Sequence, residues 1–526
     1  MIRAYDAATV RAAEEPLLSA GEPLMLRAAA ALADEAAAFL SRLGADPAHG
    51  EHPRVLVLAG PGANGGDGLH AAALLRRRGI AADALAVMGS VHEGGAEALR
   101  RADGTIWDID ALPAERTLRL IRETDLVLDA ILGIGGRAEA PERLHTLLDA
   151  VRSARRSVIA VDAPSFIDTS SGDADPQALA ADLTVTFGAM KSGLLLPPAA
   201  HLCGTVQLVD IGLGPHLPAE PAVERLEDAE VRALWRHPCH EDSKYTRGVV
   251  ALIAGSEEYP GAAVLSCSAA ARTGAGMVRC LAPRRVLDLV LHARPEIVGH
   301  LLEASDGDGA PDLPLPERAD ALVVGPGLPP TAVRAREGVA LLTRGGRLIR
   351  GVIDAGAIDA ITPEDRFTPD VVLTPHRGEA DRLAARLGIA QAPSDRDDTG
   401  DAQPLAPAAL ARALAAATGA TVLLKGSITL IAPGDGGALL SQDDATPQLA
   451  TAGTGDVLSG VIGTLLAAGL PGPQAAALGA LLHGRAGRAA AGNGARPVLA
   501  GDLPSRLPEV IGTILGPTVP QQRGGR

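Results

Sequence analysis

Aromatic side chains are scarce in this 526-residue chain, with Phe, Tyr and Trp together at 2%. Such a sequence has no ladder of rings on which single-stranded nucleic acid could stack. Basic charge is also short: the net charge of −15 argues against nucleic acid or an anionic membrane surface as the main partner. The four cysteines, Cys203, Cys239, Cys267 and Cys280, form neither a CxxC pair nor a zinc-like spacing. A disulfide framework in so long a chain would need more, so a reduced, cytoplasmic protein is expected. No uninterrupted run of 18 apolar residues occurs, so no membrane span is expected. The charged start MIRAYDAATVRAAEE lacks the apolar centre of a signal peptide. Lysine is nearly missing: of 48 basic residues only Lys191, Lys244 and Lys425 are lysines. A lysine that survives such an arginine bias is a candidate for a site that needs a compact ammonium. The alternative is chance retention on the surface.

What is present is aliphatic. At 47% hydrophobic residues, disorder is excluded as the main state, and the length suits two to four domains. Residues 1–43 read as helical, and Asp46-Pro47-Ala48-His49-Gly50 breaks that pattern. Short apolar runs then alternate with helical stretches: 54–60, 82–89, 125–133, 157–164, 183–189 and 205–212. Runs apolar on both faces, separated by helices, indicate a parallel sheet in an α/β domain. After a linker-like stretch at 212–218 a second series follows at 248–255, 277–283, 321–327, 347–356, 370–376, 421–426 and 429–434. Helical stretches are expected at 261–275, 378–388, 405–418 and 455–469, and a loop at 389–406. No internal repeat relates the halves. Two different α/β domains are therefore expected, 1–218 and 219–515, with a disordered tail at 516–526.

In the first half, Gly60-Pro61-Gly62-Ala63-Asn64-Gly65-Gly66-Asp67-Gly68 follows a strand directly. Five glycines allow close approach of a ligand to the backbone, and the helix after them adds a partial positive charge suited to pyrophosphate. An ordinary strand-to-helix turn would need only one or two. Asp129 and Asp162 end later strands, where ligands bind in doubly wound sheets. Asn64, Asp129 and Ser165 together offer hard oxygen ligands for a cation. Helix capping is the competing reading for such Asp and Ser residues.

In the second half, Thr451-Ala452-Gly453-Thr454-Gly455-Asp456 precedes an apolar helix. Small residues there expose backbone N–H groups as an anion hole, and Asp456 beside it is suited to take a proton from a hydroxyl attacking phosphate. Lys425 ends a strand where an ammonium can meet phosphate. His376 and Glu379 lie three apart at a strand-to-helix junction, Glu379 placed to hold magnesium through water. A lone strand-end histidine is as often a surface hydrogen-bonding residue.

The order GPGANGGDG, DAILGIGG, VDAPS and FGAMKSGLLLPP, over about residues 5–215, resembles the epimerase domain of the NAD(P)H-hydrate repair enzymes. SKYTRGVVALIAGSEEYPGAAVLSCSAAARTGAGMV, VVGPGLP, IDAGAI, LTPHRGE, VLLKGS and TAGTGD, over about 240–510, resemble the dehydratase domain of the same family. The resemblance implies a Rossmann-like first domain and a ribokinase-like second one, each a three-layer α/β/α sandwich. It implies epimerisation of the R and S hydrates of NADH and NADPH by the first domain. It also implies ADP-dependent dehydration of the S hydrate by the second, releasing AMP and phosphate. Carried over by motif, Asn64, Asp129 and Ser165 would hold a potassium ion. Ala63, Asn64, Gly65, Gly66 and Asp67 would contact the hydrated dinucleotide, with Asp162 as a catalytic residue. So would the loop Gly133, Ile134, Gly135, Gly136, Arg137, Ala138 and Glu139. In the second domain Ala263, Gly327, His376 and the catalytic Asp456 would contact the hydrated coenzyme. Lys425, Gly426, Ser427, Ile428, Thr429 and Gly455 would hold ADP, which brings Mg2+. Lys244 and Tyr259-Pro260-Gly261 would shape the pocket. The partners implied are small molecules, with homo-oligomers common in the family.

Three departures from the family pattern, Ala63, Ile134 and Phe166, each replace a polar or small residue. They motivate a first domain that binds without catalysing. A ribokinase-like kinase of small hydroxymethyl compounds is the other alternative, and it leaves the first domain unexplained.

Overall fold

The computed structural model describes residues 1–44, 52–302, 318–389, 405–492 and 494–516. The expected chain break at 46–50 lies outside these residues, as does nearly all of the expected loop at 389–406 and of the tail after Gly516. The chain forms two compact units, Arg3–Val223 and Glu224–Arg526 with Met1–Ile2. The stretch 212–218 is not a free linker. Leu213 is fully buried, Gly214–His216 forms a 3-10 turn, and Tyr5 Oη donates to the Pro218 carbonyl at 3.1 Å.

The first unit is built on seven parallel strands: β1 (Arg54–Ala59), β2 (Ala81–Ala86), β3 (Ile106–Asp108), β4 (Leu126–Ala130), β5 (Ser157–Val161), β6 (Leu183–Phe187) and β7 (Thr205–Val209). Their order is β3-β2-β1-β4-β5-β6-β7. Val55, Val57 and Ala59 of β1 join one core with helices Leu24–Arg42 and Ala63–Arg77. Leu56 and Leu58 alternate to the opposite face of the sheet, as a pleated strand requires. Strand order reverses between β1 and β4, so the crevice beyond their carboxyl ends is the place a ligand binds. Residues 1–43 are not helical throughout: Ile2–Tyr5 is a strand, and Asp6 caps the helix Ala7–Ser19 by accepting from Thr9 N–H at 2.7 Å.

The second unit carries β8 (Val249–Ile253), β9 (Met277–Ala282), β10 (Val298–Leu301), β11 (Ala321–Val324), β12 (Gly351–Ile353), β13 (Val371–Leu373), β14 (Thr421–Leu424), β15 (Thr429–Ala432) and β16 (Leu439–Gln442). They run in the order β10-β9-β8-β11-β12-β13-β14-β15-β16, parallel up to β14 and antiparallel after it. Helices Gly261–Thr273, Thr454–Ala467, Gly472–Ala491 and Leu503–Leu515 pack into one core on one face. Helices Val333–Leu342, Arg377–Arg386 and Pro407–Thr418 also pack around this sheet. The fold class is α/β in both units.

Candidate active sites

At the end of β1 the expected glycine loop is instead the start of a helix, Ala63–Arg77, capped by Gly62 without a side-chain bond. Most of its glycines serve packing. A Cβ on Gly65 would stand 2.0 Å from the Gly60 carbonyl oxygen, and one on Gly68 2.7 Å from Ala130 Cβ. Only residues without a side chain let the helix start this close to the strand ends. Its first N–H groups, unpaired within the helix, remain an anion site. Ala63 is exposed at that end, and Gly66 is buried against the His92 ring.

Asn64 is buried, and neither its Oδ1 nor its Nδ2 has a protein partner. Orphaned groups of this kind cost about 1–3 kcal/mol each, which points to a missing ligand. Asp129 is 1% exposed; its two oxygens accept from Ser165 Oγ at 2.5 Å and Ser165 N–H at 2.8 Å. Burial pushes the Asp129 carboxyl up, and the Ser165 bonds oppose this. Leu132 N–H donates to Ser165 Oγ at 2.9 Å. A Cβ on the next residue, Gly133, would lie 2.9 Å from Asn64 Oδ1 and 3.3 Å from Asp162 Oδ2. The three expected cation ligands and Asp162 thus converge around residues 132–133, and the oxygens on offer suit a hard cation. Beyond Gly133 the loop turns through a Gly136 N–H bond to the Gly133 carbonyl at 2.8 Å. The Ile134 carbonyl accepts from Arg11 at 3.1 Å, while Gly135, Arg137 and Glu139 are exposed and Ala138 half-buried.

Asp162 stands at φ +65°, its Oδ1 accepting from Thr186 Oγ1 at 3.3 Å, Phe187 N–H at 3.2 Å and Lys191 Nζ. Lys191 is buried, and its other two bonds go to Thr186 Oγ1 at 3.0 Å and the Phe187 carbonyl at 2.9 Å. All three ammonium hydrogens are therefore committed within the protein. Lys191 pins one oxygen of Asp162 and leaves Oδ2 facing Gly133. Phe166, at φ +68° and 1% exposed, adopts a left-handed conformation that glycine adopts freely. Its ring points into the interior. Sequence reasoning missed Glu14, which carries no motif. Burial raises its carboxyl, Lys191 opposes and Asp162 adds to the rise. Asp67 is likewise pushed well up by burial, then by Asp162 and Glu14.

In the second unit, Gly453 at φ +88° starts the helix Thr454–Ala467 without a side-chain cap. Asp456 lies in its first turn, its pKa raised to about 7 by burial first and Asp354 second, with Lys425 opposing. A Cβ on Gly455 would lie 3.4 Å from Lys425 Nζ and 3.9 Å from Asp354 Oδ2. Lys425 Nζ donates to Asp354 Oδ1 at 2.9 Å and approaches Glu379 at 3.8 Å. Burial favours the neutral amine, but these carboxylates prevail and the pKa is raised, so Lys425 stays charged. Gly426 and Ser427 are exposed in the β14–β15 turn, Ile428 anchors it from inside, and Thr429 begins β15.

His376 is exposed, and its Nδ1 accepts from Gly378 N–H at 3.0 Å and Glu379 N–H at 3.3 Å. Glu379 Oε2 in return accepts from His376 N–H at 2.8 Å. This capping box engages Glu379 Oε2 in starting a helix. Ala263 and Gly327 lie around Gly255, at the start of the helix Gly261–Thr273. A Cβ on Gly327 would lie 2.6 Å from Ala262, and one on Gly255 2.9 Å from the Ala263 methyl. Ala263 is fully buried. Lys244 is exposed over the Tyr245 ring, the surface alternative for this lysine.

Residues 250–509 match the family described as NAD(P)H-hydrate dehydratase, and residues 21–193 the YjeF-related protein N-terminus. The bifunctional NAD(P)H-hydrate repair enzyme of Mycobacterium tuberculosis is 38% identical over 90% of this chain and 91% of its own. The chain belongs to the bifunctional NAD(P)H-hydrate repair enzymes. The repair enzyme of Mycobacterium leprae is 36% identical over 97% of this chain and 98% of its own, and that of Escherichia coli 33% over 87% and 84%. A crystal structure of the ADP/ATP-dependent NAD(P)H-hydrate dehydratase of Bacillus subtilis with ATP/Mg2+ is 30% identical, covering 55% of this chain and 97% of its own at a TM-score of 0.44. Membership of the repair family accounts for both units, whereas the kinase alternative leaves the first unexplained. Within the repair-enzyme pattern, sequence reasoning passed over Asp354. The signal was there, an aspartate closing an apolar strand in IDAGAI, as Asp129 and Asp162 close theirs.

Proposed function

We propose that the first unit equilibrates the R and S hydrates of NADH and NADPH, and that the second returns the S hydrate to reduced coenzyme with ADP. The observation that carries the second half is Asp456, a carboxylate poised near neutrality on a helix start beside the Lys425 ammonium. Asp456 takes the proton of the ring hydroxyl as its oxygen attacks the terminal phosphorus of ADP, and AMP leaves. The ring nitrogen's lone pair then expels phosphate, a far better leaving group than hydroxide. Loss of a proton from the adjacent carbon completes the double bond. Gly426, Ser427, Ile428, Thr429 and Gly455 line the nucleotide with Lys425, and Mg2+ enters with its phosphates. Ala263, Gly327 and His376 border the coenzyme.

In the first unit Asp162 Oδ2 takes the hydroxyl proton as the ring C–N bond opens to an aldehyde with the nitrogen protonated, and returns it when the nitrogen recloses on the opposite face of the carbonyl. Asn64, Asp129 and Ser165 would hold potassium, whose fixed positive charge would steady an anionic dinucleotide. The orphaned Asn64 amide supports that assignment. Ala63, Gly65, Gly66, Asp67 and the loop 133–139 contact the dinucleotide. The test is absorbance at 340 nm with R-enriched NADH hydrate, ADP, Mg2+ and K+. Complete recovery of NADH is expected. Recovery that stops at the S fraction leaves the first unit a binding module, and no recovery with ADP or ATP overturns the reading.

A further inference from the structure

Asp354 is 1% exposed at the carboxyl end of β12, and both of its oxygens are engaged. Oδ1 accepts from Lys425 Nζ at 2.9 Å, and Oδ2 from Ser459 Oγ at 2.7 Å. Ser459 lies one turn beyond Gly455 on the helix that carries Asp456. One carboxylate therefore ties the strand-end ammonium to the helix start that forms the anion hole. The backbone is built to admit it. The Asp354 carbonyl oxygen would lie 1.8 Å from a Cβ on Gly325, and Asp354 N–H bonds the Val324 carbonyl at 3.0 Å.

A buried ion pair is weak evidence of stability, because apolar residues of the same size commonly do as well. The donor counts of the buried Lys191 and the half-buried Lys425 separate their tasks. Lys191 gives all three hydrogens to the protein. Lys425 gives Asp354 a bond at 2.9 Å and otherwise approaches Glu379 only to 3.8 Å. Its ammonium is oriented by Asp354 and keeps donors for a phosphate beside Gly455.

We propose that Asp354 is a positioning residue of the dehydratase site, holding Lys425 against the anion hole and placing a negative charge beside Asp456. This rests on the dehydratase reading above. The groups around Asp456 are few: Asp354 and Lys425 from strand ends, Glu379 beyond Lys425, and His483 behind the helix. His483 Nε2 meets the Thr454 carbonyl at 2.9 Å, and burial lowers its pKa to about 4, so it is neutral in the working range. Asp354 is the negative neighbour that raises the Asp456 pKa. Removing its charge should make Asp456 a weaker base with a lower pKa.

The experiment uses the full chain with Asp354→Asn, following NADH recovery from S hydrate against ADP concentration and pH. A thermal melt of the full chain serves as the control for folding of the second unit, and R-to-S equilibration as that for the first. The wild type is assayed first, and its failure to recover NADH would overturn the dehydratase reading itself. With an active wild type, the expected result is at least a tenfold loss in kcat/KM for ADP and an acid limb of kcat displaced to lower pH. An unchanged acid limb and ADP dependence would overturn the proposal. So would a lowered Tm with the kinetics intact, which is what a purely structural pair predicts. Should Asp354→Asn fail to fold, Ser459→Ala keeps both carboxylates and frees one arm of Asp354. It should raise the KM for ADP with little change in the acid limb, and an unchanged KM would overturn the positioning role.

Discussion

Two of the chain's three lysines turn out to be partners of buried strand-end aspartates, Lys191 with Asp162 and Lys425 with Asp354. Lysine retention under an arginine bias thus marked Lys191 and Lys425, while Lys244 is exposed over the Tyr245 ring. Asp456→Asn removes the base and should lower dehydratase kcat by 10²–10⁴-fold, with epimerisation unchanged. In the wild type the rate should rise with pH through about 7, because the base must be deprotonated. A pH profile of kcat checks this. Burial and Asp354 make the Asp456 carboxylate costly, so the asparagine variant should also melt higher than wild type at pH 8. Lys191→Met leaves Asp162 buried without its cation and should cost about 3–5 kcal/mol in the first unit. Epimerisation should vanish while NADH recovery from pure S hydrate survives, read by calorimetry and the 340 nm assay.

Elements were legible where their pattern was strong. Every long apolar run at 54–60, 125–133 or 248–255 became a central parallel strand. Among the strands missed, Ile106–Asp108, Val298–Leu301 and Leu439–Gln442 are short, and the first two are edge strands with exposed or half-exposed residues. The helix Gly472–Ala491 was hidden by its glycines, which weaken a propensity argument yet are what its packing needs. A Cβ on Gly479 would reach 2.6 Å from Ile462, and one on Gly487 2.7 Å from Leu449. The same holds where the Asp456 helix crosses Gly261–Thr273, since a Cβ on Gly460 would stand 2.2 Å from the Ser266 carbonyl oxygen. Gly460→Ala should therefore destabilise by about 1–3 kcal/mol, whereas Gly501→Ala, with open space around it, should change stability by less than about 0.5 kcal/mol. Urea melts of the two variants decide.

At the scale of the whole molecule, the proposed activities predict a division of labour in one assay. Asp162→Ala should halt NADH recovery at the S fraction of a mixed hydrate, and Asp456→Asn should abolish recovery while R and S still interconvert. Acid should weaken the second unit through His483. Its folded pKa is depressed to about 4 from 6.5, so the unfolded chain takes up the proton first as pH falls. Its contribution to stability is complete above about 6.5 and is lost towards pH 4, on the order of 3 kcal/mol. His483→Asn should flatten that slope in thermal melts taken between pH 7 and 4.

The sequence by itself determined the α/β class, the two halves and the motifs GPGANGGDG and TAGTGD, because strand hydrophobicity and glycine placement are local properties. It also singled out Asn64, Asp129, Asp162, Lys425 and Asp456 through their places at strand ends and helix starts. Only the tertiary structure decided what those residues face. The glycine stretch is a packed helix start and not an open loop, because neighbouring strand ends sit against it. Glu379 closes a capping box, and Asp354 joins Lys425 to Ser459 across 71 and 105 positions of chain. Partnerships at that separation depend on sheet order and burial, which no window of sequence contains.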